Sequence, residues 1–195
     1  MNRRTCDRTA DVAVTAAAAT NVAAAAATTA DIAAAASPAT HVAAANATAT
    51  NVEQRFYSVA EDDKRAVVRQ LIKTRALTQA IIFVNSKLGA ARLARSFERD
   101  GMRTQALHGD KSQDERLKAL EAFKQGEVDL LVCTDVAARG LDIKDVPAVF
   151  NFDVPFNAED YVHRIGRTGR AGASGLAVTL VSPSDNRLVG DIEKL

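Results

Sequence analysis

Short apolar runs alternate with longer amphipathic segments from Arg55 onward, and this alternation predicts strands and helices in turn. The predicted strands are continuous apolar runs rather than alternations of apolar and polar residues, and this pattern is typical of strands buried on both faces. We therefore predict an α/β fold with a mainly parallel sheet and helices on both faces. The predicted strands are Phe56–Val59, Gln79–Val84, Thr104–Leu107, Asp129–Cys133, Ala148–Phe152 and Leu176–Val181. The predicted helices are Glu61–Thr74, Ser86 to Gly101, Ser112 to about Gly126, one starting at Asn157 that carries Tyr161–Arg164, and Ser184–Leu195.

Residues 1–50 have a different composition, with 22 Ala and nine Thr but no Leu, Phe, Tyr, Trp, Lys or Gly. Ala and Thr bury too little apolar area to offset the ordering of the backbone. We predict a disordered or weakly helical arm at 1–50 and one globular domain at 51–195. A Val or Ile follows a polar residue every ten positions in this arm, as at Asp11, Asn21 and Asp31. Low-complexity expansion or a faulty sequence explains this echo more simply than a functional repeat.

Charge and cysteine usage narrow the class of protein. The formal net charge is +1, and it is also +1 for residues 51–195, so any phosphate binding must be local. Cys6 and Cys133 lie far apart, and neither His41 nor His108 has metal-ligand neighbours, so we predict no metal site and a reduced, cytoplasmic protein. No apolar stretch is long enough to span a membrane. Nothing in the sequence indicates a homo-oligomer.

The segment from Tyr161 to Gly172, YVHRIGRTGRAG, is the strongest candidate for chemistry. Its arginines, Arg164, Arg167 and Arg170, are interleaved with glycines that let the backbone approach a ligand. Guanidinium forks match phosphate oxygens, and positioned arginines stabilise the charge that develops during phosphoryl transfer. A solvated basic turn is the alternative explanation of the same composition. His163 has no partner at the spacing that acid–base catalysis needs.

Further candidates follow the predicted strands, at the edge where parallel sheets bind ligands. Thr134 can donate a hydroxyl to a phosphate, and Asp142 can accept a ribose hydroxyl near the small residue Gly140. Turn formation explains these residues equally well, and helix capping explains Asn85–Ser86. Arg116 lies in the first turn of a helix, where it could contact a nucleic-acid backbone or simply be exposed.

In order and spacing, these segments resemble the carboxy-terminal RecA-like domain of DEAD-box RNA helicases across roughly 52–195. The segments that carry the resemblance are IIFVNSK (81–87), QDER (113–116), TDVAARGLDI (134–143), VFNFDVP (149–155) and YVHRIGRTGRAG (161–172). The string HGDKSQ is similar to bacterial members in particular.

The resemblance implies a role for each of these positions. Arg167 and Arg170 would be catalytic and reach the γ-phosphate of ATP, and Gly140 and Asp142 would lie near its ribose. RNA would be contacted by Asn85, Ser86, Arg116 and Thr134. Coupling between the two motor domains would involve Arg139, His163 and Arg164.

The family's first domain carries a phosphate-binding loop and an Asp-Glu-Ala-Asp segment, and neither string occurs in these 195 residues. The resemblance therefore implies a second motor domain whose ATP and Mg²⁺ are held mainly by the missing first domain, so we expect no ATP hydrolysis or unwinding by this chain alone. The expected partners are RNA and that first domain. An isolated RNA-binding module and a non-functional truncation product are the alternatives.

Overall fold

One sheet organises the part of the chain that the computed structural model describes, residues 38–39, 51–169 and 174–192. Its strands run in the order β1-β2-β7-β6-β3-β5-β4. Strands β2 to β7 are mutually parallel where they pair, and the two-residue β1 is antiparallel to β2. This confirms the predicted mainly parallel α/β sheet. The strands are β1 Pro38–Ala39, β2 Val52–Ser58, β3 Ala80–Phe83, β4 Thr104–Leu107, β5 Leu130–Cys133, β6 Ala148–Asn151 and β7 Gly175–Val181.

Three of the helices begin at residues whose side chains satisfy free backbone donors. Ser86 accepts a hydrogen bond from Gly89 N, and Asn157 accepts one from Asp160 N. Ser112 and Glu115 form the predicted reciprocal capping box. The helices are α1 Lys64–Thr74, α2 Lys87–Arg99, α3 Gln113–Lys124, α4 Asp135–Ala138, α5 Ala158–Ile165 and α6 Asn186–Ile192, with short 3-10 turns at Glu61–Asp63 and Pro183–Asp185.

The core occupies both faces of the central strands. Every residue of β3, β5 and β6 is buried. Successive side chains of a strand point to opposite faces, so complete burial means that both faces are covered. Ile81, Phe83 and Leu120 belong to one apolar cluster, whereas Phe56 and Tyr161 belong to another, in which their rings lie 6.0 Å apart. The six parallel strands are therefore held in fixed register, and their carboxyl ends form one edge.

Several features differ from the sequence-based expectation. The two-residue strand β1 lies within 1–50, where a disordered or weakly helical arm was predicted, and the helix predicted from Glu61 begins with a 3-10 turn. Strand β2 begins at Val52 rather than Phe56, because its first residues pair with β7 although they are only partly buried. The short helix α4 occupies 135–138, where no helix was predicted. The predicted last helix is a 3-10 turn followed by α6, and its final residues 193–195 lie outside the described residues, as does almost all of the predicted arm.

Candidate functional site at the carboxyl edge of the sheet

The segments that follow β3, β5 and β6 meet directly at the carboxyl edge. Val84 N donates to Cys133 O at 3.0 Å, and Phe152 N donates to Phe83 O at 3.0 Å. The parallel ladders therefore continue for one residue beyond the strands, and they place Asn85, Asp135 and Asp153 beside one another.

Arg164 fills the space between these segments. It is 1% exposed, although it carries a full charge. Its Nε and Nη2 donate to the two carboxylate oxygens of Asp135, each at 2.7 Å. Nη2 also donates to Asn85 Oδ1 at 2.8 Å, and Nη1 donates to the carbonyl oxygen of Asp153 at 2.7 Å. One guanidinium thus joins the ends of β3, β5 and β6 to helix α5.

This buried charge is stabilised in two further ways. The guanidinium carbon lies 5.2 Å from the centroid of the Phe83 ring, within the range of a cation–π contact. The bidentate pair with Asp135 has the geometry in which arginine and carboxylate bind most strongly. Burial raises the pKa of the nearby Asp153 carboxyl, although its hydrogen bond from Asn85 N and the positive charges of Lys64 and Arg164 oppose that shift.

Arg167 lies one helical turn beyond Arg164, where α5 has ended. Its Nη1 donates to Leu141 O at 3.1 Å and to Ile143 O at 3.4 Å. These carbonyl groups flank Asp142, so the arginine-rich segment is bound to the segment that follows β5. Asp142 is exposed and pairs with Lys144 at 2.7 Å, and this hydrogen bond lowers the pKa of its carboxyl. Arg170, the other predicted catalytic arginine, lies outside the described residues.

Gly140 has a φ of 76°, in the left-handed region that favours glycine. A Cβ at this position would meet no atom within 4 Å. The backbone conformation, rather than crowding within the described part of the chain, is therefore what favours glycine here.

The three residues predicted to couple the domains lie together. Arg139, His163 and Arg164 line one narrow cleft, which Arg167 also lines. Arg139 donates to Asp160 Oδ1 at 2.7 Å, and both Arg139 and His163 are exposed. Arg164 differs from them because its side chain is enclosed by the domain. Any coupling through Arg164 would have to pass through the segments that it holds.

The four predicted RNA contacts occupy the adjoining part of the same edge. Arg116 reaches from α3 and donates to Ala137 O in α4 at 2.8 Å, which brings it close to Thr134, the residue that precedes α4. Thr134 is 7% exposed. Ser86 is exposed, whereas Asn85 has its amide engaged by Val154 O and Arg164. Contact with RNA stays a prediction for all four.

Sequence reasoning did not single out Asp135 and Asp153, which organise the site. Both lie two residues beyond the carboxyl end of a buried strand, so the criterion that selected Asn85 and Thr134 applied to them as well. The burial of Arg164 also had a signal. Tyr161, Arg164 and Ile165 have helical spacing and form the buried face of α5.

The described part of the chain has no helix long and apolar enough to cross a membrane. Among these residues, no three histidine, cysteine or acidic side chains are grouped closely enough to hold a metal ion.

Comparison with known proteins adds to this geometry. Residues 63–172 match the family described as helicase conserved C-terminal domain. The chain is 45% identical over 133 residues to the DEAD-box ATP-dependent RNA helicase RhpA of Helicobacter pylori, a match that covers 68% of this chain and 27% of that protein. It is 44% identical over 143 residues to the human protein named probable ATP-dependent RNA helicase DDX23, covering 73% of this chain and 17% of that protein.

A solved structure is also similar. The Escherichia coli DEAD-box protein SrmB, crystallised with the regulator of ribonuclease activity A, superposes with a TM-score of 0.66 and 38% identity over 72% of this chain and 81% of that chain. Together, the parallel sheet and the arginine-rich segment at its carboxyl edge are those of a RecA-like domain. The chain belongs to the helicase C-terminal domain family, in its DEAD-box branch. It spans about a quarter or less of the length of these two curated relatives.

Proposed function

We propose that this chain works as the second motor domain of an ATP-dependent DEAD-box RNA helicase, supplying arginines to a nucleotide held by another domain. The observation that carries the proposal is the attachment of Arg167 to the carbonyl oxygens of Leu141 and Ile143. This attachment fixes the predicted catalytic arginine next to Asp142, the predicted ribose contact.

The residues of this edge fit a triphosphate. Among contacts between described residues, Arg167 uses only Nη1, which leaves Nη2 and Nε to donate to phosphate oxygens. Bound ATP, with Mg²⁺ on its phosphates, would supply the transferable phosphoryl group. Arg167, together with Arg170, would stabilise the charge that spreads over the phosphoryl oxygens. Asp142 would exchange its exposed pair with Lys144 for a ribose hydroxyl.

A partner domain has a surface available on the same edge. Three large apolar side chains are exposed there: Leu88 is 68% exposed, Val136 71% and Phe156 68%. Each follows the carboxyl end of a strand, in α2, α4 and the segment after β6, respectively. Exposed apolar side chains near a functional edge are typical of a surface that another domain covers. We infer that the first RecA-like domain docks here, and that RNA binds alongside it at Asn85, Ser86, Arg116 and Thr134.

A chimera tests this proposal. Residues 51–195 replace the second motor domain of the Helicobacter pylori relative, and ATP hydrolysis is measured with and without single-stranded RNA. We expect RNA-stimulated hydrolysis that falls by about 100-fold or more in Arg167→Ala, the scale of losing a group that stabilises transition-state charge. Lys73→Ala, an exposed change on α1, is the matched control and should keep the activity. A chimera that binds ATP and RNA yet hydrolyses no faster than the first domain alone would refute the proposal.

The chain alone gives a complementary measurement. Without the phosphate-binding loop, we expect residues 1–195 to release no phosphate from ATP and to unwind no duplex. If the chimera is inactive but the chain binds RNA, the function is that of an isolated RNA-binding module.

We also propose a low-complexity arm at 1–50, a domain at 51–195, a bacterial origin and a cytoplasmic location. The sequence identity to the bacterial relative is nearly equal to that to the human relative. The proposal of a bacterial origin therefore rests on the resemblance of the string HGDKSQ to bacterial members of the family.

A further inference from the structure

Helix α2 carries a row of arginines that the proposed site does not use. Arg92, Arg95 and Arg99 are exposed and are spaced by three and four residues. At about 100° per residue, the three side chains lie within about 60° of one another round the helix. They form one face, which we call the α2 arginine face.

The charges on this face are not neutralised within the described part of the chain. Arg92 and Arg95 have no ion-pair partner there, and Arg99 donates only to Ser96 Oγ, at 3.2 Å. Neighbouring cations behave differently, since Arg103 pairs with Asp129 through two hydrogen bonds. Glu98 is exposed and lies about 60° from Arg95 and about 100° from Arg99 round the helix, but it forms no ion pair with any of the three arginines in the described part of the chain. Three cations without an ion pair, beside the single carboxylate of Glu98, leave this surface locally positive in a domain of almost zero net charge, and a local positive surface can bind a polyanion.

The position of the face indicates which polyanion it fits. Helix α2 starts at the carboxyl edge, directly after Asn85 and Ser86, two of the proposed RNA contacts. With a rise of about 1.5 Å per residue, Arg92 lies about 9 Å from Ser86 along the helix axis, and Arg99 lies about 10 Å further. The face is thus a continuation of the edge away from the site.

We propose that the α2 arginine face binds the phosphates of single-stranded RNA that extends beyond the carboxyl edge. This inference rests on the proposed function, because it needs an RNA strand at Asn85 and Ser86. Arginine binds phosphate oxygens through its planar fork, and the exposed stem of each side chain can follow a flexible strand. The face would therefore lengthen the RNA site without adding sequence preference.

The test uses the full chain and two oligouridylates of about 6 and about 14 nucleotides, lengths within the range of single-domain sites. The variant is Arg92→Gln/Arg95→Gln/Arg99→Gln. The matched control is Lys73→Gln/Lys118→Gln/Arg187→Gln, which removes three positive charges from other exposed positions. Each phosphate contact contributes about 0.7 to the salt slope of single-strand binding, so three contacts contribute about 2. Between about 50 and about 200 mM salt, the wild type should lose roughly 20-fold more affinity for the long RNA than for the short RNA. This difference should disappear in the variant.

The variant should bind the short RNA as the wild type does, whereas the control should keep both the length advantage and the salt slope. Arg92→Lys/Arg95→Lys/Arg99→Lys retains the charges and should keep most of the slope, which separates loss of charge from loss of folding. If the glutamine variant still binds the long RNA more tightly than the short RNA by the same factor as the wild type, the inference is overturned. This is also the result expected if the face binds an acidic protein instead of RNA. Arg116→Ala separates a failure of this inference from a failure of the RNA site in the proposed function. If the short RNA does not bind the wild type, or binds Arg116→Ala equally well, the proposed RNA site itself fails.

Discussion

Removal of the Arg164 side chain is the most direct test of how the carboxyl edge is held together. In Arg164→Ala, both carboxylate oxygens of Asp135 lose their donor, and so do Asn85 Oδ1 and the carbonyl oxygen of Asp153. Asp135 is only 20% exposed, so water cannot fully replace the guanidinium.

The expected loss follows from burial rather than from distance. Breaking a buried ion pair by deleting one partner costs about 3–5 kcal/mol, because the other charge remains uncompensated. A domain of this size is stable by about 5–15 kcal/mol, so the change removes a large fraction of the total. Arg164→Lys keeps the charge but cannot occupy both Asp135 oxygens, and we expect a loss of about 1–3 kcal/mol. Arg139→Ala breaks a pair of the same 2.7 Å length, but Arg139 is 61% exposed, and Asp160, which is 14% exposed, keeps its hydrogen bond from Asn157 Nδ2, so the expected loss is about 1 kcal/mol.

Urea unfolding of the full chain, followed by far-ultraviolet circular dichroism, measures all three variants. The free energy of unfolding should fall in the order Arg139→Ala, Arg164→Lys, Arg164→Ala, with similar denaturant slopes. An Arg164→Ala midpoint no lower than that of Arg139→Ala would show that the buried pair does not hold the strand ends together.

Three further outcomes are expected. Gly169→Ala should destabilise the domain more than Gly140→Ala: φ is positive at both positions, but a Cβ at residue 169 would clash with the Val52 side chain, whereas one at residue 140 has open space. Equal unfolding midpoints would contradict this. Burial raises the pKa of Asp153 above 3.8, so the native state binds this proton more tightly than the unfolded state, and native stability should fall as pH rises through the raised pKa. Asp153→Asn removes this effect, and a stability difference from wild type that stays constant with pH would contradict the reasoning. Burial also raises the pKa of the Cys133 thiol, so in a Cys6→Ser background a thiol reagent should label Cys133 only after unfolding; stoichiometric labelling of the native protein would be the opposite result.

The central strands could be predicted because their signal is local. The runs at 80–83, 130–133 and 148–151 are apolar enough to be buried on both faces whatever lies next to them. Strand β2 could not be delimited in this way. Glu53, Gln54 and Arg55 enter it because the backbone of β7 offers hydrogen-bond partners, a property of the partner strand rather than of these side chains.

The same distinction applies to the candidate site. The residues that line the carboxyl edge could be predicted, since they follow strands whose ends must meet. How they bond to each other could not, because partners such as Arg164 and Asn85 are 79 positions apart in the chain. The small helix α4 was missed for a related reason. A single helical turn has too few residues to show a period, and it is fixed here by contacts such as that of Arg116 with Ala137 O.

Arg164 and Arg167 show why one arginine-rich segment needs two physical explanations. Arg164 lies on the inner face of α5 with Tyr161 and Ile165, and its bonds are satisfied within the domain. Arg167 follows the end of the helix, where the chain turns, and only its Nη1 is engaged by described residues. Loss of activity in an Arg164 variant would therefore report first on the structure of the edge. Loss of activity in an Arg167 variant that unfolds like the wild type would report on the nucleotide, so stability must be measured before either arginine is assigned a catalytic role.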